Sequence, residues 1–252
     1  MLRILRARWK QGYRTVGFPD KPPTLPTIYR GRPQCDAGKC RTGCAACIDA
    51  CPTGAICRQG DAVSIDLGRC LFCMDCTDAC PTQAIEFTRE YRMATRTREA
   101  LVTDGRTFEL AQALDGEARR LFGRSLKLRE VSAGGCNACE ADTNVLGTVV
   151  FDLGRFGIQF VASPRHADGL LITGPVPRNM ELALKKTYEA TVSPKLVIAV
   201  GACAISGGVF VGSPEAGKGA HEVVPVDLYI PGCPPHPSTI LDGLLRLLGR
   251  IE

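Results

Sequence analysis

The sequence predicts an α/β protein in two unlike parts. One is a small, cysteine-dense α+β unit over residues 35–87; the other is a larger unit over 123–252 built on a parallel sheet. Three observations carry this reading. Residues 35–87 contain a tandem cysteine repeat. From Ser125 onward, short apolar runs alternate with stretches of helical period, the pattern of βα units feeding a parallel sheet covered by helices. The four cysteines of this second part, Cys136, Cys139, Cys203 and Cys233, lie on loops that leave predicted strands. Loops at the carboxyl ends of such strands meet in one crevice. A basic arm and proline-rich strap (1–34) precede these units, and a charged connector (88–122) joins them.

The arm comes first. Eight Lys/Arg in residues 1–34 face Asp20 alone, so the net charge of +5 is concentrated there. If residues 1–13 are helical, Leu2, Leu5, Trp9 and Tyr13 share a face and Arg3, Arg6 and Lys10 lie off it. Such a helix suits a membrane surface or a partner; a loosely ordered basic end is the plainer alternative. Its cations are not interleaved with stacking aromatics, so no nucleic-acid partner is expected. Pro19, Pro22, Pro23 and Pro26 then forbid helix and favour an extended strap.

Fourteen cysteines would mean disulfides in a secreted chain. Residues 1–10 alternate Arg with apolar residues and lack a signal-peptide core. The longest apolar stretch, 196–205, is far short of a membrane span. A reducing compartment is expected, with the cysteines as metal ligands.

The repeat specifies the metal. Cys70-x2-Cys73-x2-Cys76-x3-Cys80-Pro81 is the C-x2-C-x2-C-x3-C-P run of two-cluster ferredoxins, in which the fourth cysteine ligates the other cluster. The first unit, Cys40, Cys44, Cys47, Cys51-Pro52, keeps that spacing except for one extra residue between its first two cysteines. The spacing therefore predicts one [4Fe-4S] cluster on Cys40, Cys44, Cys47 and Cys80, and a second on Cys51, Cys70, Cys73 and Cys76. Small residues between the ligands (Gly43, Ala45, Ala46, Ala50, Ala79) let backbone N–H groups approach the sulfurs. Paired zinc knuckles would want C-x2-C pairs and four ligands each, which fits neither the third cysteine of each unit nor the Cys-Pro ends. The inserted residue leaves Cys35 as a rival to Cys40. The match of Asp36-x-x-Lys39-Cys40 to Asp66-x-x-Arg69-Cys70 favours Cys40. Cys57 has no counterpart and reads as a small buried hydrophobe rather than a ligand.

In the connector, Phe108, Ala111, Leu114, Ala118, Leu121 and Phe122 predict a helix over 107–122, with Asp104-Gly105 and Asp115-Gly116 as turn or end signals. Beyond it the pattern gives strands at 126–128, 156–162, 169–173, 195–200 and 226–230. Helices are expected at 140–153, 180–191 and 238–248. The expected strand order is flavodoxin-like. Gly201–Gly208 lacks the lysine and the spacing of a phosphate loop; its glycines let backbone close around a cluster.

These residues carry a resemblance. Gly135-Cys136-Asn137-Ala138-Cys139-Glu140, Ser163-Pro164-Arg165-His166-Ala167-Asp168, Gly201-Ala202-Cys203, Gly207-Gly208 and Pro225–Pro235 resemble the small subunit of membrane-bound, energy-converting [NiFe] hydrogenases. Formate hydrogenlyase and the 20 kDa-type subunit of complex I belong to the same group. The likeness covers about residues 120–250. Residues 12–87, with Tyr29-Arg30-Gly31-Arg32-Pro33, resemble the two-cluster ferredoxin-like subunit of such complexes, ordinarily a separate chain. The resemblance implies a proximal [4Fe-4S] cluster on Cys136, Cys139, Cys203 and Cys233, three clusters in all. It also implies that Glu140 lies beside the proximal cluster and moves protons; a first-turn carboxylate favoured by the helix dipole is the alternative. For Arg165 and His166 a cluster-side role and a helix-start role stand side by side, and His221 and His236 read as ordinary loop residues. Complex I relatives carry adjacent cysteines where this chain has Cys136-x-x-Cys139, as the hydrogenases do.

The implied function is that of an oxidoreductase subunit relaying electrons to or from a nickel–iron centre on a partner large subunit. Other electron-transfer and membrane subunits would complete the complex on the cytoplasmic face of the membrane. Membrane contact would be indirect or through the arm. The alternative is a complex I-like oxidoreductase without hydrogen chemistry.

Overall fold

The computed structural model describes residues 2–59, 62–104 and 107–252. Met1 and the Gly105 half of the Asp104-Gly105 turn signal lie outside them. The first part contains α1 (Leu2–Gln11), β1 (Pro33–Cys35), α2 (Ala46–Asp49), β2 (Ile56–Gln59), β3 (Ala62–Asp66), α3 (Asp75–Ala79), β4 (Ile85–Phe87) and β5 (Val102–Thr103). Next come α4 (Gly116–Phe122), β6 (Leu126–Ser132), α5 (Ala138–Val145), β7 (Ile158–Phe160) and β8 (Gly169–Thr173). The chain ends with α6 (Arg178–Ala190), β9 (Leu196–Val200), α7 (Ala202–Ser206), β10 (Leu228–Ile230) and α8 (Pro237–Leu247).

The five C-terminal strands pair in the order β10-β9-β8-β6-β7, every pair parallel. Numbered within the sheet this is 2-1-3-4-5 read from the other edge, the flavodoxin-like order. Gly-Leu-Leu-Ile-Thr of β8 and Leu-Val-Ile-Ala-Val of β9 are buried at every residue, as central strands covered on both faces must be. Neighbours point to opposite sides. Leu171 joins Leu128, Ile198 and Ile230 in a cluster with α8, whereas Leu170 joins Val131, Val197 and Leu184 of α6.

Helix α8 is buried along its whole length. The sheet covers one side, and the connector covers another. A Cβ on Gly243 would lie 2.7 Å from the Ala94 Cβ and 3.2 Å from Ile230 Cδ1, so only glycine admits this approach. Leu114 N donates to Leu247 O at 2.9 Å. The helix also buries an ion pair, Arg246 Nε to Asp242 Oδ2 at 2.8 Å.

A third apolar cluster runs between the two parts, joining Ile65, Leu67, Cys70, Phe72 and Leu101 to Ala199, Ala204, Ile205 and Tyr229. Thr95 forms an antiparallel bridge with Tyr229 at the β10 edge, and Arg98 grips Asp66 with two bonds of 2.7 and 2.6 Å. Ser206 Oγ donates to Gly68 O at 2.8 Å. Residues 16–25 are tied down by hydrogen bonds: Val16 N donates to Val150 O, Arg155 donates to the carbonyls of Val16 and Phe18, and Arg89 donates to that of Leu25.

Several expected elements differ in extent. The helix expected over 107–122 is α4 alone. Before it the backbone of Ala111 and Leu114 bonds outward to Ala94 and Leu247, and the Asp115 carboxylate caps the helix by accepting from Ala118 N. The helix expected over 140–153 stops at Val145; Gly147 N and Thr148 Oγ1 take the last carbonyls, and Asp152 is left-handed at φ 50°. The strand expected over 156–162 is β7, preceded by a 3-10 turn. The arm helix ends at Gln11 because Gly12 turns left-handed at φ 62°, so Tyr13 lies beyond it.

Removing one partner of a buried pair leaves an uncompensated charge, at a cost of about 3–5 kcal/mol. Arg246→Met is therefore expected to lower the urea midpoint sharply, and adding Asp242→Leu to restore most of it. Equal midpoints for the single and double variants would contradict this reading of the pair.

Candidate iron–sulfur sites

Each half of the cysteine repeat builds its loop in the same way. Cys40 N and Cys70 N donate to the carbonyls of Asp36 and Asp66, and Gly38 N and Gly68 N donate to the same two carboxylates at 2.9 Å. The loops then coil tightly enough to need left-handed residues: Gly43 in the first half, Phe72 and Met74 in the second. For a side-chain-bearing residue this conformation costs about 1–2 kcal/mol, the kind of strain found at functional sites.

Cys44, Cys47 and Cys80 line one cavity together with Cys40 and Cys35. Cys70, Cys73, Cys76 and Cys51 line a second. The cysteines before proline thus sit in the opposite half's cavity. Ala55 N donates to Cys51 Sγ and Ala84 N to Cys80 Sγ, each at 3.2 Å. Thr53 and Thr82 hydroxyls approach the same sulfurs at 3.8 and 3.7 Å, and Phe72 N donates to Cys70 Sγ at 3.4 Å. These threonines and alanines were legible only as the repeated Cys-Pro-Thr-x-Ala. Arg58, which donates to Cys40 Sγ at 3.7 Å and to Cys44 O at 2.6 Å, carried no sequence signal. Cys57, expected to be buried, is instead exposed: it sits in the β2–β3 hairpin opposite Ser64, 2.9 Å from its Oγ, and lines neither cavity.

The third group lies at the carboxyl ends of β6, β9 and β10. Cys136 follows β6, Cys139 opens α5, Cys203 sits on α7 and Cys233 follows β10. Asn137 between the first two is left-handed at φ 70°. Ala202 N donates to Gly232 O at 2.8 Å, which clamps the Cys203 and Cys233 loops together. A Cβ on Gly201 would lie 2.5 Å from Cys139 Sγ, and one on Gly208 would lie 2.7 Å from Cys203 Sγ; this cradle leaves room for sulfur and no side chain. Cys139 lies within electrostatic reach of Cys203, Cys233 and Cys136.

Burial dominates the thiols. It pushes Cys70 up to about 12, and Cys76 and Cys203 each to about 11; Cys139 is driven well above the ordinary range by burial and then by its neighbouring sulfurs. Burial also pushes on Cys80, but the N–H groups of Ala84 and Thr82, the Thr82 hydroxyl and Ile85 N–H outweigh it and lower that thiol. Five sulfurs in the first cavity, four in the second and four at the strand ends are donor sets that fit [4Fe-4S] clusters, which are held by cysteine thiolates.

Glu140 is 5% exposed; its Oε1 accepts from Ser132 Oγ at 2.6 Å and Thr173 Oγ1 at 2.7 Å. Glu130 lines the same open cleft, and burial followed by the Glu140 carboxylate raises it to about 7. Its Oε1 is buried without a hydrogen-bond partner among the described residues. The sequence did not single out Glu130, Ser132 or Thr173, which meet Glu140 only through the sheet. Arg165 and His166 sit on an exposed 3-10 turn and His221 on another. His236 caps α8, accepting from Ser238 N at Nδ1, and packs edge-on against Tyr29.

Known proteins share this geometry's sequence pattern. That of the NADH ubiquinone oxidoreductase 20 kDa subunit matches residues 136–247, and that of a 4Fe-4S binding domain matches residues 63–86. A probable membrane-bound hydrogenase subunit of Pyrococcus furiosus is 42% identical over 132 residues, 52% of this chain and 79% of that one. The chain belongs to the 20 kDa subunit family. An NADH-quinone oxidoreductase subunit of Citrifermentans bemidjiense is 47% identical over 117 residues, 46% of this chain and 68% of that protein. Formate hydrogenlyase subunit 7 of Escherichia coli is 44% identical over 129 residues, and the match spans about half of each chain. In this 20 kDa-type chain the family unit is joined to a 4Fe-4S-binding unit.

The thiol shifts set a pH dependence for the iron-free chain. Unfolded thiols ionise near 8.5, while Cys70, Cys76 and Cys203 stay neutral in the fold until about 11–12. The unfolded state therefore binds fewer protons in that window, and stability falls as pH rises. The urea midpoint of reduced, iron-free chain is expected to drop between about pH 8.5 and 11; a rising midpoint would contradict the burial of these thiols.

Proposed function

We propose that this chain is the electron-transfer subunit of a membrane-bound, [NiFe] hydrogenase-like complex, with three [4Fe-4S] clusters in a row. When bound, the clusters pass one electron at a time between a redox partner and a nickel–iron centre on a partner large subunit. Two proximities support the order, in which the Cys51/Cys70/Cys73/Cys76 site would be the middle one. Cys76 lies within electrostatic reach of Cys47, and Cys233 within reach of Cys73. Residues 35–87 and 123–252 are the two redox units, with 1–34 as strap and 88–122 as connector.

The chain's own residues fix and tune the relay. Arg30 donates to the carbonyls of Phe72 and Cys73 at 2.9 and 3.1 Å. It lines a groove with Cys233, Pro234 and Asp142, so the strap holds the middle loop against the third site. Glu140 holds its carboxylate between two hydroxyls beside Cys139, and with Glu130 it offers a proton a path to the open cleft. The large subunit would cover the exposed Cys136 and Cys233 and the exposed Val209, Phe210 and Val211 near Cys203.

Relatives of two kinds match at similar identity, hydrogenase subunits at 42–44% and a quinone oxidoreductase subunit at 47%. A complex I-like oxidoreductase without hydrogen chemistry is therefore the second reading. Cysteines serving as metal ligands rather than in disulfides suit a reducing compartment and so the cytoplasmic face of the membrane. Among the described residues no helix is long and apolar enough to cross it. Helix α1 buries no residue, and Leu2, Leu5 and Trp9 stand exposed beside Arg3, Arg6 and Lys10. This basic amphipathic surface suits an anionic bilayer.

Prepared without oxygen, the chain is expected to carry about twelve irons, four per cubane. Cys203→Ser should remove about four of them and one paramagnetic signal, leaving the other two signals intact. Loss of all signals together would overturn the partition. Hydrogen-dependent dye reduction by the intact complex, abolished on deleting this chain, separates the first reading from the second. Trp9 is the only tryptophan, so its emission reports on the arm. A blue shift is expected with anionic vesicles and not with zwitterionic ones, and no shift with either would remove the membrane role.

A further inference from the structure

We infer that the first cysteine cavity holds five cluster-directed thiols, with Cys35 able to take the iron corner assigned to Cys40. This rests on the three-cluster reading and deepens it.

The internal repeat shows where Cys35 stands. Asp36 and Asp66, Gly38 and Gly68, and Cys40 and Cys70 are each 30 positions apart, and both turns carry the same hydrogen bonds. The residue before each turn is Cys35 in one half and Ile65 in the other. Ile65 is 3% exposed and forms a wall of the second cavity. Cys35 forms the matching wall of the first, beside Cys40, Cys44, Cys47 and Cys80. It ends β1, paired with Ile85 of β4, so a rigid strand pair presents it to the cavity. Where one half uses a methyl-bearing side chain to close its cluster site, the other uses a thiol.

The two candidate ligands are also held differently. Three residues, Arg41, Thr42 and Gly43, separate Cys40 from Cys44, against two between Cys70 and Cys73. Cys70 is buried, whereas Cys40 is only half-buried. Cys35 lies within electrostatic reach of Cys40, Cys47 and Cys80. A cubane has four iron corners, so one of five thiols is spare. The thiol that binds iron loses its proton to solvent. The spare one keeps its proton and donates it to a ligating sulfur. Exchange between the two swaps one iron–sulfur bond and one proton, with no change of oxidation state.

The test uses the full chain purified anaerobically, with iron content and paramagnetic spectra of the reduced state as readouts. Cys40→Ala is expected to keep about twelve irons, with the first cluster's signal shifted in position and potential. Cys35→Ala should also keep about twelve, and the double variant should fall to about eight. Cys44→Ala, which has no spare thiol, should fall to about eight by itself; the two remaining signals report that each variant is folded. A wild-type chain that shows the first cluster and a Cys40→Ala variant that loses it overturn the inference alone. A double variant that retains the cluster also overturns it. A wild type without that cluster overturns the three-cluster reading, and this inference with it.

Discussion

Sulfur that must be anionic to bind iron, placed where burial keeps it neutral, is the constraint on which the rest of the structure depends. Cys70, Cys76, Cys139 and Cys203 are all pushed upward by the interior around them. Several thiolates in one such cavity would repel one another as well as lose solvation. A cationic cluster reverses both effects, and ligand binding and proton release become one event. The local architecture serves that event. Amide N–H groups point at Cys51, Cys70 and Cys80, left-handed residues coil the loops, and Gly201 and Gly208 leave space beside sulfur.

The same constraint explains why the two parts share a core. Electron transfer between clusters needs fixed spacing, and a flexible linker would not supply it. Here Ile205 and Tyr229 of the sheet unit pack with Leu67 and Phe72 of the repeat unit. Thr95 pairs with the β10 edge, and Arg98 and Ser206 bind the turn at Asp66–Gly68. Connection in one chain makes this docking permanent, and α8 between sheet and connector is buried throughout as a result.

Much of this was legible from spacing. The cysteine repeat predicted that Cys51 and Cys80 serve the opposite half's site, and each lines that half's cavity; the alternation of apolar runs predicted the parallel sheet, and the expected flavodoxin-like order matches the pairing. What was not legible lies where tertiary contacts overrule local pattern. Phe108, Ala111 and Leu114 are spaced as a helix would space them, yet Ala94 and Leu247 claim the backbone between them. Asp115 then starts the helix as an N-cap, a signal the sequence did contain. Glu130, Ser132 and Thr173 converge on Glu140 only because β6 and β8 are neighbours. Arg30 reaches Phe72 and Cys73 across 42 and 43 residues, a distance no periodicity reports.

The proposed relay would set three clusters in sequence, the middle one on Cys51, Cys70, Cys73 and Cys76. Iron anomalous-difference density from crystals grown without oxygen tests it most directly. Three separate peaks are predicted, the middle one inside that ring of sulfurs and the outer two beside Cys47 and Cys139. Two peaks, or a third displaced from the crevice at the ends of β6, β9 and β10, would contradict the account.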